Sequence, residues 1–168
     1  WFNQKQAMFE NVASVNADSV GRIKSLIDHG DGLLMGTRNG IFFLKNENAQ
    51  PQAWPSQSPL NTEIEKMAAS PDGKEVWVAT LEQGLYRFSL SGQLLQQIRR
   101  GDGLAHDNVR DLKFDRFNRL WLATFDGLSR IDRPNGEIKT WRYESGNTSS
   151  LSANRTEPLM EDREGLMW

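Results

Sequence analysis

Along most of the chain, apolar and polar residues alternate in short runs closed by Gly, Asn, Asp, Pro or Ser, a pattern that predicts short β-strands joined by tight turns. The runs recur in sets of four. The first, A, reads IKSLID (23–28), IEKMAAS (64–70), VRDLKFD (109–115) and TEPLMED (156–162). The second, B, reads LLMGT (33–37), VWVAT (76–80) and RLWLAT (119–124), and is apolar at nearly every position, so it needs cover on two faces. The third, C, opens on Gly40, Gly84 and Gly127, where glycine permits the positive φ or close backbone approach of a short B-to-C turn. The fourth, D, is less regular: it falls around Trp54, then on 94–100, then on 138–144.

Taking the large residue before the small-Thr pair as a marker, Met35, Trp77, Trp121 and Trp168 follow one another at intervals of 42, 44 and 47 residues. A period of this length with strand-like content predicts propeller blades, because helical repeats of similar length need long 3.6-residue periodicity that is missing here. The expected fold is all-β: a β-propeller fragment with about three complete four-stranded blades and partial blades at both ends. Residues 1–18 are read as the end of a preceding blade, 19–59, 60–103 and 104–150 as blades, and 151–168 as the start of a further blade, all within one propeller domain. A four-stranded sheet is too thin to bury its own faces, so Met35, Trp77, Trp121 and Trp168 are expected to wedge between successive sheets. Partial blades leave strand edges unpaired, which predicts self-association of the fragment, as a homodimer in the simplest case.

Composition then narrows the function. The 168 residues are 38% hydrophobic and 25% charged, as in ordinary globular proteins, and a formal charge of -2 disfavours a nucleic acid partner. With no cysteine there is no disulfide framework and no thiolate metal site. The longest apolar runs fall far short of the roughly 18 residues needed to cross a bilayer, so membrane attachment would have to come from other segments.

In an up-and-down blade, the D-to-A and B-to-C connections share one end and the A-to-B and C-to-D turns the other. The first end gathers Arg38, Asn39, Glu82, Gln83, Phe125 and Asp126 from B-to-C turns, with His106 and Arg155 from D-to-A loops. Hydrogen-bonding side chains with an aromatic suit a small hydroxyl-rich or acidic ligand, although the same residue types also serve as solvated loop. Asp107, Asn108 and Asn154, just before A strands, are equally suited to bonding their own backbone. No catalytic residue stands out. His29 and His106 are assigned to opposite ends, no nucleophile elbow or phosphate-binding glycine loop appears, and neither a metal nor another cofactor is expected.

The unit GLAHDNVRDLKFDRFNRLWLATFDGLSRIDRPNGEIKTWRYE (104–144) resembles the repeat of the two-component regulator propeller family, and LSANRTEPLMEDREGLMW (151–168) is similar to the same phrase. The two earlier units depart from it: Met35 stands for the Trp, SPDG replaces the acidic turn, and Trp54 has no counterpart. The resemblance implies a ligand-sensing domain in the periplasm, part of an inner-membrane receptor whose output is a histidine kinase, hybrid kinase or diguanylate cyclase, and which takes a small molecule or carbohydrate. A propeller lyase or hydrolase of the streptogramin-lyase type, or a protein-interaction scaffold, are the competing readings.

Overall fold

A computed structural model describes residues 2–3, 8–9, 20–55, 60–132 and 136–168. Near the N-terminus β1 (Phe2–Asn3) pairs antiparallel with β2 (Met8–Phe9). The expected closing strand of a preceding blade over 1–18 otherwise lies outside the described residues. Three antiparallel four-stranded sheets follow. The first holds β3 (Ile23–Asp28), β4 (Leu33–Thr37), β5 (Gly40–Leu44) and β6 (Gln52–Ala53). The second holds β7 (Ile64–Ala69), β8 (Glu75–Thr80), β9 (Leu85–Ser89) and β10 (Leu94–Ile98). The third holds β11 (Val109–Phe114), β12 (Leu120–Thr124), β13 (Gly127–Asp132) and β14 (Glu137–Trp141). In each sheet the strands lie side by side in chain order, the up-and-down arrangement of a propeller blade.

The apolar pattern explains the stacking. Leu34, Ile41 and Trp54 of the first blade pack against Val76, Val78, Tyr86 and Phe88 of the second. Trp77, Ala79, Leu85 and Ile98 on the second blade's other face meet Leu112, Leu120, Leu122 and Ile131 of the third. Strand β8 therefore has neighbours on both sides, and all six of its residues are buried. Burying an indole at such an interface removes roughly 150 to 250 Å² from water.

Register corrects one equivalence. Thr37 pairs with Gly40 and Thr124 with Gly127, and Leu34, Trp77 and Trp121 pair across to Phe43, Arg87 and Arg130. Leu34, not Met35, is thus the first blade's counterpart of the tryptophans. Met35 is buried on the opposite face with Val20 and Leu44, because a one-residue step along a strand changes face. Trp54 also gains counterparts. Its N–H donates to Ile41 O, while Ile98 pairs with Leu85 and Trp141 with Leu128, so Trp54, Ile98 and Trp141 share one place in their blades.

Two devices recur. At each B-to-C turn a buried threonine hydroxyl donates across the turn: Thr37 Oγ1 to Gly40 O at 3.0 Å, Thr80 to Gly84 at 2.8 Å and Thr124 to Gly127 at 2.6 Å. The glycines have φ of 117°, 75° and 119°, and a Cβ on them would run into the carbonyls of Leu60, Ile98 and Trp141 respectively. At the A-to-B turns an acidic side chain accepts the B-strand indole N–H: Asp115 from Trp121 and Asp162 from Trp168, both at 2.8 Å. In the second blade Glu75 takes that part for Trp77 at 3.1 Å.

The fourth unit spans residues 151–168. Its A segment pairs with 166–168 through one bridge, Glu161 with Met167, flanked by reciprocal Met160 and Trp168 backbone bonds of 2.7 and 3.0 Å. Trp168 stands 67% exposed with no described sheet over it, so the wedge role expected of it has nothing to act on here.

Candidate ligand-binding end of the propeller

The chain order of each sheet puts the B-to-C turns and D-to-A loops together at one end, and backbone bonds tie successive blades there. Gly84 N–H donates to Asp107 O at 2.8 Å, and Gly127 N–H to Asn154 O at 2.7 Å. Asp107 Oδ1 accepts the Arg100 N–H at 2.7 Å and Asn154 Oδ1 the Tyr143 N–H at 2.6 Å. Both side chains therefore shape the loops.

The candidate residues form separate groups. His106 and Phe125 are brought together, with ring centroids 5.6 Å apart, and His106 Nδ1 accepts the Asn108 N–H at 2.9 Å. Beside them Arg142 Nε lies 3.3 Å from Asp126 Oδ2, and its Nη2 donates to Ala105 O at 2.7 Å. Phe125 is 48% exposed, so this corner offers an open ring flanked by a neutralised ion pair. Gln83 is occupied within its own blade, where its Oε1 accepts from Tyr86 at 2.7 Å. Glu82, Arg38 and Asn39 are exposed on the turns of the other two blades. Arg155 pairs with Glu157 at 2.8 Å. His29 sits at the opposite end, edge-on to Phe43 and Trp54.

The same end holds a feature that the loop reading missed. In each blade the pairing of strands A and B skips one residue near the start of strand A, between Ile23 and Ser25, Ile64 and Lys66, and Val109 and Asp111. These are β-bulges, which bend a strand and re-aim the extra side chain. The bulged residues are Lys24, Glu65 and Arg110, and Glu157 follows Thr156 at the corresponding place of the fourth unit. All four line one cavity of about 300 Å³, with Lys66, Asp111 and Pro158 completing its wall. The signal was present in the sequence. Strand A reads I-KS-L, I-EK-M, V-RD-L and T-EP-L, and a doubled non-apolar step inside an alternating strand marks a bulge.

Electrostatics differ around this wall. Lys24 meets Glu63 at 2.5 Å and Glu65 at 2.8 Å. Burial pulls the Lys24 pKa down, and its bonds to the two glutamates outweigh that and leave it raised. The Lys24 hydrogen bond holds Glu63 below the usual carboxylate range, and the Arg155 hydrogen bond does the same for Glu157. Asp111 accepts the Leu112 N–H at 3.0 Å and the Leu159 N–H at 2.7 Å, linking the third blade to the fourth unit.

Comparison with family profiles and with curated proteins returns no match. Solved structures do match. Two extracellular domains ascribed to hybrid two component systems of B. thetaiotaomicron superpose with TM-scores of 0.71 and 0.70 at 22% and 18% identity, over 92% and 87% of this chain. The chain spans about a fifth of their length, 21% and 20%. The computationally designed protein Ika4 matches over 96% of this chain and 97% of its own, with TM-score 0.58 at 13% identity. The chain thus shares the fold of these extracellular domains, in agreement with the blade architecture read from the repeat.

Proposed function

We propose that this chain is part of a non-enzymatic, ligand-sensing propeller domain of a bacterial two-component or related receptor, working outside the cytoplasm, in the periplasm of a two-membrane cell. The observation that carries the reading is the match of nearly the whole chain to extracellular domains of hybrid two component systems, joined to the repeat phrase of residues 104–144. The end described above supplies the binding surface, with Phe125, Asp126, His106 and Arg142 on one corner and the charged cavity nearer the A strands. Ligand binding would act by favouring one arrangement of receptor subunits over another, which requires different affinity for the two. A lyase reading would need its histidines together, and here His29 and His106 stand at opposite ends.

Isothermal titration calorimetry of the full ectodomain against a panel of oligosaccharides, amino acids and organic acids tests this. The expected result is saturable heat from one class of compound with no turnover. Silence across the panel together with measurable turnover would replace the sensor with an enzyme.

A further inference from the structure

The cavity at the A-strand bulges has an asymmetry that the fold does not require. Each carboxylate on its wall already has a close partner: Glu65 has Lys24 at 2.8 Å, Glu157 has Arg155 at 2.8 Å, and Asp111 has two backbone N–H groups. Two of the cations do not. Arg110 comes only to 3.7 Å from Glu157 and Lys66 only to 3.8 Å from Asp111, both beyond hydrogen-bond length. Arg110 Nε is in addition buried with no acceptor. A buried donor left unmade is costly, and a guanidinium edge is shaped for a two-oxygen acceptor.

Position adds to this. In the first and third blades the residue after the bulge carries an oxygen that accepts an N–H from the next A strand, Ser25 from Met67 at 3.0 Å and Asp111 from Leu159. The second blade has Lys66 there, which cannot accept. The Leu112 N–H turns to Asp111 instead, and the Lys66 ammonium is left at the cavity wall.

From this we infer that the cavity is an oxyanion site: it holds the carboxylate or phosphate group of a small molecule between Arg110 and Lys66, with Glu65 and Glu157 accepting hydrogen bonds from neighbouring hydroxyl or ammonium groups of the same ligand. Its volume of about 300 Å³ suits a ligand of metabolite size. The inference rests on the ligand-binding part of the proposed function and needs nothing from signalling.

The test is nuclear magnetic resonance of the 168-residue chain, following the arginine Nε–H and backbone signals while succinate or inorganic phosphate replaces chloride at constant ionic strength. A saturable shift of the Arg110 Nε–H, with Lys66 and Met67 following, is expected for one or both anions. Succinate alone identifies a carboxylate site and phosphate alone a phosphate site. Arg110→Gln should weaken binding by about tenfold or more, as loss of a charged hydrogen bond does. Lys139→Gln, distant from the cavity, should leave it unchanged. Binding untouched by Arg110→Gln, or no saturable shift at Arg110 in the parent protein, overturns the site even if that variant folds poorly. Saturable shifts confined to Phe125, Asp126 and Arg142 would likewise overturn it while leaving the sensor reading in place.

Discussion

Trp77 and Trp121 occupy the same place in successive blades and are equipped alike, yet their surroundings differ. Trp77 is 2% exposed beneath the third blade, with Arg87 5.4 Å from its ring centre. Trp121 is half-buried. It stacks on Trp141 at 5.6 Å, and Arg130 lies 5.2 and 5.5 Å from the two rings. Beyond them lies a groove of about 430 Å³, lined in part by Leu128, Leu166 and Met167. The repeat therefore specifies the indole, its acid and its arginine, while the next blade decides how much water the indole loses.

The largest effect should come from testing that difference directly. Trp77→Ala should cost about 3 to 5 kcal/mol, as large-to-small core changes do. Trp121→Ala, though it reads the same in sequence, should cost about 1 to 2 kcal/mol, because less area is withdrawn from water. Urea unfolding of the two variants decides it, and equal losses would break the comparison.

Glycines sharpen it at a middle scale. Gly127→Ala sets a strained φ against a carbonyl contact and should cost about 2 to 3 kcal/mol, whereas Gly136→Ala, with φ of 71° but open space, should cost about 1 kcal/mol. Thermal midpoints of the two variants measure the gap.

The smallest effect is electrostatic. Burial raises the pKa of Asp115, and the Trp121 indole, the Arg119 N–H and the Arg119 guanidinium outweigh that and hold it below the ordinary 3.8. A depressed folded pKa gives stability that is complete above the unfolded value and lost as pH falls through the folded one. Acid unfolding should therefore begin below about pH 4 and be blunted in Asp115→Asn. Asp162 makes the same bond to an exposed Trp168, so Asp162→Asn should alter the acid limb far less. An equal change in both would show that packing does not amplify the bond.

Much of this was legible in the residues. Alternation and turn glycines located strands A, B and C of the three blades within a residue of their bounds, whereas the D run read at 138–144 ends at Trp141 and the A run at 156–162 forms a single bridge. The Trp54 counterpart was also legible and was missed: Trp54, Ile98 and Trp141 each stand 14 residues after Gly40, Gly84 and Gly127. Matching by residue type concealed it, as it placed Met35 one step off. The candidate loop residues were correctly confined to one end by topology, but which of them meet was not readable, since His106 and Phe125 come from different turns 19 residues apart. The charged cavity escaped because polar residues in a strand read as a solvent face until several strands are brought around one axis.

Local chemistry in the chain determined the blade: strand period, turn glycines, threonine clamps and the Trp-acid pairs all act within a few dozen residues, where sequence spacing and spatial distance stay closely linked. Tertiary structure alone decided which face each apolar residue gives to its neighbour, how dry each tryptophan becomes, and that Lys24, Glu65, Arg110 and Glu157 surround one cavity. Those outcomes depend on contacts between residues about 40 or more positions apart, and burial and field at a point are set by everything folded around it.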